Sequence, residues 1–315
     1  MPTTIYYFSG SGNSLAVSRS LSRELEDSEL VPMARLWKLD RIVSPAGTIG
    51  FVFPMYFYGL PDIVERFLTK IELDRADYLF AVVTRAGAAG CSLQKTEDIL
   101  SATCSDHGKG SKRKGSNGLD AGFYVDMPSN YTPIREALPK EKQEKIFKAA
   151  EKKITKIART IRQKRVKGEK DKPLVRKVAM GNNETFLEEV HRKDEDFHVD
   201  RTCISCGFCA RICPVDNILM VAGRPQWQHH CQHCLACLHF CPKESIQFTR
   251  KTVGRKRYHH PDVTFKDIES QKWKVVSKKI HTKKAPSKDR DKERPRNLIE
   301  RENGSNGEEG QRAAV

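Results

Sequence analysis

Eight cysteines between Cys203 and Cys241 are the residues of this chain whose type and spacing point most directly to chemistry. They form two runs of one pattern. Cys203, Cys206, Cys209 and Cys213 are followed by Pro214, and Cys231, Cys234, Cys237 and Cys241 by Pro242, so each run reads C-x2-C-x2-C-x3-C-P. Three thiolates at two-residue gaps let one loop curl around a metal centre, with Gly207 easing the bend. The fourth, at the head of a helical turn, points away from its own loop. Cys91 and Cys104 lie apart. Clustering of this kind favours metal ligation over disulfides. Zinc also takes thiolates, but as tetrahedral sites built from CxxC pairs, which need neither the third cysteine nor the proline.

A second group, Ser9-Gly10-Ser11-Gly12-Asn13-Ser14, suits anions. It follows an uncharged β-branched and aromatic run at residues 4–8, which predicts a strand buried on both faces. It precedes Leu15, Ala16, Val17, Leu21 and Leu25 at helical spacing. Strand, Gly/Ser turn and helix N-terminus together offer amides and hydroxyls to a phosphate without positive charge. The turn lacks the Gly-Lys-Ser/Thr of a Walker A loop, and its glycines do not match the dinucleotide fingerprint. An ordinary βα turn capped by serine has the same composition, so the loop alone leaves both uses open.

The elements that position these groups alternate. Further strands are predicted over residues 48–53, 77–84 and 122–127, and helices over 62–70, 91–100 and 138–166. The last helix puts Ile146, Phe147, Ala150, Ile154, Ile157 and Ile161 on one face and crowds Lys and Arg on the other, a solvated face. Alternation implies a doubly wound parallel sheet, whose ligands sit at the carboxyl ends of the strands. Three loops fall there: 9–14 with phosphate donors, 54–61 with Tyr56, Phe57 and Tyr58, and 84–90 with Thr84, Gly87 and Gly90. Packing at a sheet edge would use the three aromatic rings equally well.

Ser9-x-Ser11-Gly12-x-Ser14 resembles the phosphate loop of the flavodoxin family, Thr/Ser-x-Thr/Ser-Gly-x-Thr/Ser. The resemblance implies a flavodoxin-like α/β fold that binds FMN. Ser9, Gly10, Ser11, Gly12, Asn13 and Ser14 would hold its phosphate. Tyr56, Phe57 or Tyr58 would lie against the isoalloxazine, and Thr84, Gly87 and Gly90 would approach its pyrimidine edge. Flavodoxins usually carry an aromatic residue in the third loop, and residues 84–90 hold none. The cysteine runs resemble the bacterial ferredoxin run for [4Fe–4S] clusters, in which two-cluster proteins exchange the fourth ligand. That implies Cys203, Cys206, Cys209 and Cys241 at one cluster, and Cys231, Cys234, Cys237 and Cys213 at the other. Ile204, Ile212, Val215, Ile218, Leu235, Leu238, Phe240 and Ile246 would sheathe them. Residues 197–199 would pair with 246–248 as short strands.

With Asn130-Tyr131 after a strand, the whole resembles the flavodoxin–ferredoxin fusion proteins of anaerobic bacteria and archaea, over roughly residues 3–250. The resemblance implies a flavodoxin-like domain at 1–166, a linker at 167–195, a small α+β 2[4Fe–4S] ferredoxin domain at 196–250 and a basic, mostly disordered tail at 251–315. Within that tail, residues 265–282 keep enough apolar pattern for a docking element. The implied function is electron transfer between FMN, two clusters and redox partner proteins. One alternative is a flavin-dependent reductase fed by a soluble hydride donor, although no nicotinamide fingerprint is present. Another is an iron–sulfur redox sensor with a nucleic-acid-binding tail.

Composition sets the bounds. Of 315 residues 38% are apolar and 30% charged, with a mean hydropathy of −0.59, enough for one core but not for a globule of the whole length. The most apolar stretch, 49–60, holds Gly50, Pro54 and Gly59 and is too short to span a bilayer. Met1-Pro2-Thr3-Thr4 shows no basic n-region or cleavage pattern, which predicts a soluble, cytoplasmic protein. Net charge is −2 over residues 1–100, +10 over 101–250 and +8 over 251–315. The basic loop at 105–118 is predicted to be flexible. The basic tail suits an acidic redox partner, a nucleic acid or a membrane surface, or serves solubility alone. His229, His230, His233 and His239 read as exposed polar residues, and Cys91 as a small buried helix residue.

Overall fold

The structure, a computed structural model, describes residues 2–106, 118–169, 171 and 173–272. Uncharged β-branched and aromatic runs become the central strands, as two-sided burial requires. β1 (Thr3–Tyr7) is buried at every residue, and so is β3 (Gly47–Pro54). β4 (Ala76–Arg85) and β5 (Ala121–Asp126) are buried along most of their length. Two strands of the sheet went unpredicted: β2 (Ser28–Pro32) and β6 (Lys167–Gly168). β2 is half-buried at the edge of the sheet and carries Ser28 and Glu29, so it lacks an unbroken apolar run.

The strand order is β2-β1-β3-β4-β5-β6, with every pair parallel. The first five follow the 2-1-3-4-5 order of a flavodoxin-like doubly wound sheet. α1 (Asn13–Leu25) packs against α4 (Lys140–Arg162), and α2 (Asp62–Lys70) against α3 (Ser92–Asp106). α4 buries Ala150, Ile154, Ile157, Ala158 and Ile161, the apolar stripe its spacing predicts.

Two segments differ from expectation. The predicted linker is largely helical: α5 (Pro173–Glu189) is followed by a 3-10 turn, Val190–Asp196. Ala179, Asn183, Phe186 and Val190 form its buried stripe. The predicted tail starts as folded chain. Residues 251–272 run back over the β1–α1 loop and end in α8 (Phe265–Glu269), whose Thr264 and Asp267 form a capping box. The rest of the tail, and residues 107–117 of the basic loop, lie outside the described residues.

Between them lies the cysteine-rich lobe. β7 (Phe197–Val199) pairs antiparallel with β10 (Ile246–Phe248), as expected. β8 (Ile218–Val221) and β9 (Arg224–Trp227) form a hairpin, and α6 (Phe208–Ile212) packs on α7 (Ala236–His239). Sheet and lobe belong to one compact unit, Met1–Lys274.

Candidate functional site

The loops at the carboxyl ends of β1, β3 and β4 surround one cavity of about 310 Å³, within the range of small-ligand sites. In the first loop Gly12 takes a left-handed conformation, φ 100°, at the start of α1. Its N–H donates to Ser9 Oγ at 3.1 Å. Ser14 Oγ and Thr84 Oγ1, 2.7 Å apart, tie the first loop to the third. Asn130 Nδ2 donates to Ser11 Oγ at 2.7 Å, and Asn13 Nδ2 to the Pro128 carbonyl at 3.0 Å. Asn13 and Ser14, in the first turn of α1 where amides have no intrahelical acceptor, line this end of the cavity.

Residues 251–272 brace the loop from behind. Tyr258 donates to Asn13 Oδ1 at 2.5 Å, and the His260 N–H to the Ser11 carbonyl at 2.8 Å. The Gln271 amide accepts from Ser9 N at 3.2 Å and donates to Ser9 O at 3.1 Å.

The aromatic loop is braced from α5. Phe57 and Tyr58 sit at positive φ, 44° and 68°. Asn183 is fully buried: its Nδ2 donates to the carbonyls of Tyr56 and Leu60 at 3.1 and 3.0 Å, and its Oδ1 accepts from Leu60 N at 3.3 Å. Phe186 stacks on Phe57, centroids 4.3 Å apart. Tyr58 is exposed. The cavity is therefore lined by Ser9, Gly10, Ser11, Asn13, Ser14, Tyr56, Phe57, Tyr58 and Thr84 of the residues singled out in the sequence. Gly12, Gly87 and Gly90 are not in its wall. Gly12 packs on Val263 and His260, Gly87 is open to space, and Gly90 lies under the Tyr58 carbonyl.

Arg85 and residues 128–131 add to the wall, and the second cysteine run completes it: His233, Cys234 and Leu235 line the same cavity. Gly10 lies so close that a Cβ there would overlap the Cys234 carbonyl. Sequence offered no signal for this approach, which only the folded chain creates. Two buried polar atoms of the wall have no partner, the Tyr56 hydroxyl and His233 Nδ1. His233 and His239 are both buried, against expectation. The His233 ring sits among Phe57, Phe186, Phe197 and Phe248, with Nε2 3.2 Å from the Tyr131 hydroxyl. His239 donates from Nε2 to the Asn130 carbonyl at 2.8 Å, and its Nδ1 accepts from Tyr258 N at 3.3 Å. Burial pushes both imidazoles down to about 3, so each is neutral.

The eight thiols separate into two cradles. Cys203, Cys206, Cys209 and Cys241 line one cavity; Cys213, Cys231, Cys234 and Cys237 line another. The two runs share an unusual backbone. Ser205 and Gly207 flank Cys206 at φ 56° and 71°, and His233 and Leu235 flank Cys234 at 49° and 59°. Three residues after the fourth cysteines, Asp216 and Glu244 repeat the match at 59° and 49°. Left-handed non-glycine residues are costly and gather at functional sites. The Asn217 and His233 amides donate to Cys213 Sγ and Cys231 Sγ, each at 3.2 Å.

Of the proposed sheath, Ile212, Val215, Ile218, Leu235, Leu238 and Ile246 are buried, whereas Ile204 is 57% exposed beside exposed Cys206. Burial pushes the Cys209 thiol up to about 11 and Cys234 to about 12, and raises Cys213, Cys231 and Cys237 as well. A bound cation would favour the thiolate form of such thiols. Among the described residues no three His, Cys, Asp or Glu side chains are arranged to hold a metal ion. Cys91 is a buried thiol pushed up to about 11 by desolvation. The Cys104 side chain lies outside the described residues.

Among the described residues no helix is long and apolar enough to cross a membrane. No protein-family model matches the chain, and no curated protein does. Among solved structures, the chain is similar to a flavodoxin from the domain Archaea, with 12% identity over 50% of this chain and 99% of that one, at a TM-score of 0.27. At that score the fold rests on the strand order alone.

Proposed function

We propose that the chain is an electron-transfer protein that holds FMN in the cavity at the ends of β1, β3 and β4 and a [4Fe–4S] cluster in each cysteine cradle. One observation carries this reading: Cys234 belongs to a four-thiol cradle and also lines the cavity beside the Ser9–Ser14 loop. The amides and hydroxyls of the Ser9–Ser14 loop suit a phosphate held by dipoles, and Arg85, paired with Asp126, also lines the cavity. Tyr56 and His233, whose hydroxyl and Nδ1 have no hydrogen-bond partner, are both lining residues of the cavity. The thiols lie in fours around two cavities, and a four-iron cube spreads its ligands over its corners, whereas a single zinc ion draws thiolates in to about 2.3 Å.

Bound there, FMN would exchange electrons singly or in pairs and each cluster singly. The protein's part is to hold the cofactors close, exclude water and tune them. Gly10 permits the close approach, the first turn of α1 would hold the phosphate, and apolar side chains would keep water from the inner cradle, that of Cys213, Cys231, Cys234 and Cys237. Exposed Cys206 puts the other cradle at the surface, where a partner protein can reach it.

Anaerobic reductive titration tests the reading. Uptake of about four electrons per chain is expected, with bleaching of both flavin and iron–sulfur absorbance. Uptake confined to the flavin, or none, contradicts it.

A further inference from the structure

The β8–β9 hairpin serves both cradles. Its cross-strand pair Met220–Pro225 lines the cradle of Cys203, Cys206, Cys209 and Cys241, and the pair Ile218–Trp227 lines the cradle of Cys213, Cys231, Cys234 and Cys237. The pairs differ in chemistry. Met220 brings a thioether, with its sulfur 3.9 Å from Cys209 Sγ. Trp227 brings an indole, a donor with no acceptor capacity. Its ring is stacked on Phe197, centroids 5.4 Å apart and planes at 12°, which holds the indole in place. Its nitrogen is sealed from solvent and has no hydrogen-bond acceptor in the protein. A buried N–H left unpaired is costly, and native proteins rarely leave one so. The cradle it lines is the place where an acceptor would arrive.

We propose that the Trp227 indole N–H donates a hydrogen bond to sulfur of the cluster in the inner cradle and so raises that cluster's reduction potential. The inference rests on the cofactor assignment above. Its physical ground is that reduction adds negative charge to the cluster, and an N–H aimed at sulfur stabilises the reduced form more than the oxidised one. The described wall of the other cradle holds no indole or imidazole. Trp227 is thus a positioning and tuning residue for the cluster beside the flavin cavity, where an electron waits next to the two-electron carrier.

The test is an EPR-monitored potential titration of wild type and Trp227→Phe, a change that keeps a ring against Phe197 and removes the donor. One cluster potential is expected to move to a more negative value, while the other and the flavin stay. Pulsed EPR of the reduced wild-type protein with 15N-indole label is the companion measurement, independent of how the variant folds. It should show a nitrogen coupling to one cluster. Unchanged potentials in a fully loaded variant, or no indole coupling in the wild type, overturn the proposal. A wild-type preparation without iron fails at the earlier step and contradicts the cofactor assignment itself.

Discussion

At the scale of single residues, the closest approach in the site runs through Gly10. Any side chain there must displace the Cys234 carbonyl, which belongs to the inner cysteine loop. Gly10→Ala should therefore destabilise the protein by about 1–3 kcal/mol, the usual cost of overpacking. It should also lower bound flavin more than bound iron, because the loop that shifts most easily is the one at the phosphate. Thermal denaturation together with flavin and iron content of the purified variant checks this. Equal loss of both cofactors would show that the contact supports folding only. Gly10 was legible in the sequence as a loop residue, and the cysteine spacing separated the eight thiols from the other two. Which neighbour makes Gly10 indispensable was not legible, since residues 10 and 234 meet only in the folded chain. The burial of His233 and His239 was hidden for the same reason: a histidine beside cysteines reads as polar until the rings around it are known.

At the scale of elements, two braces decide the shape of the cavity, and neither was read from the sequence. α5 lay in what read as a polar linker, because its buried stripe of Ala179, Asn183 and Phe186 is narrow and set among charges. Asn183→Ala removes the partners of Tyr56 and Leu60 in a dry site and should cost about 1–3 kcal/mol. Weaker flavin retention should accompany the loss, read as a raised dissociation constant in a fluorescence titration. An unchanged constant would detach α5 from the site.

The segment 251–272 was masked by its basic composition, although Thr264 and Asp267 are a readable capping signal and Tyr258, Val263 and Ile268 are buried. Burial lowers the pKa of His260 in this strap, with Asp262 opposing the shift and His259 and Arg19 adding to it. Its Nδ1 accepts from Asp262 N, which requires the neutral ring. A base whose folded-state pKa lies below its unfolded value contributes stability that is complete above about pH 6.5 and is lost as pH falls toward the folded value. Between about pH 7.5 and about pH 6, the thermal midpoint of the wild type should fall further than that of His260→Gln. Parallel falls would remove His260 from the pH response.

At the scale of the whole molecule, the sheet was readable and the arrangement was not. Alternating apolar runs announced a doubly wound parallel sheet, and its strand order is the flavodoxin-like one. The described residues gather in one compact unit, with the loop of Cys231, Cys234 and Cys237 forming part of the cavity wall. That juxtaposition turns a phosphate-type loop and two thiol cradles into one proposed route for electrons. It can be checked on a single sample. Protein purified under strict anaerobic conditions is assayed for iron, acid-labile sulfide and flavin against the same protein concentration. About eight irons, about eight sulfides and about one FMN per chain are expected. Zinc in place of iron, or iron and sulfide without flavin, would contradict it.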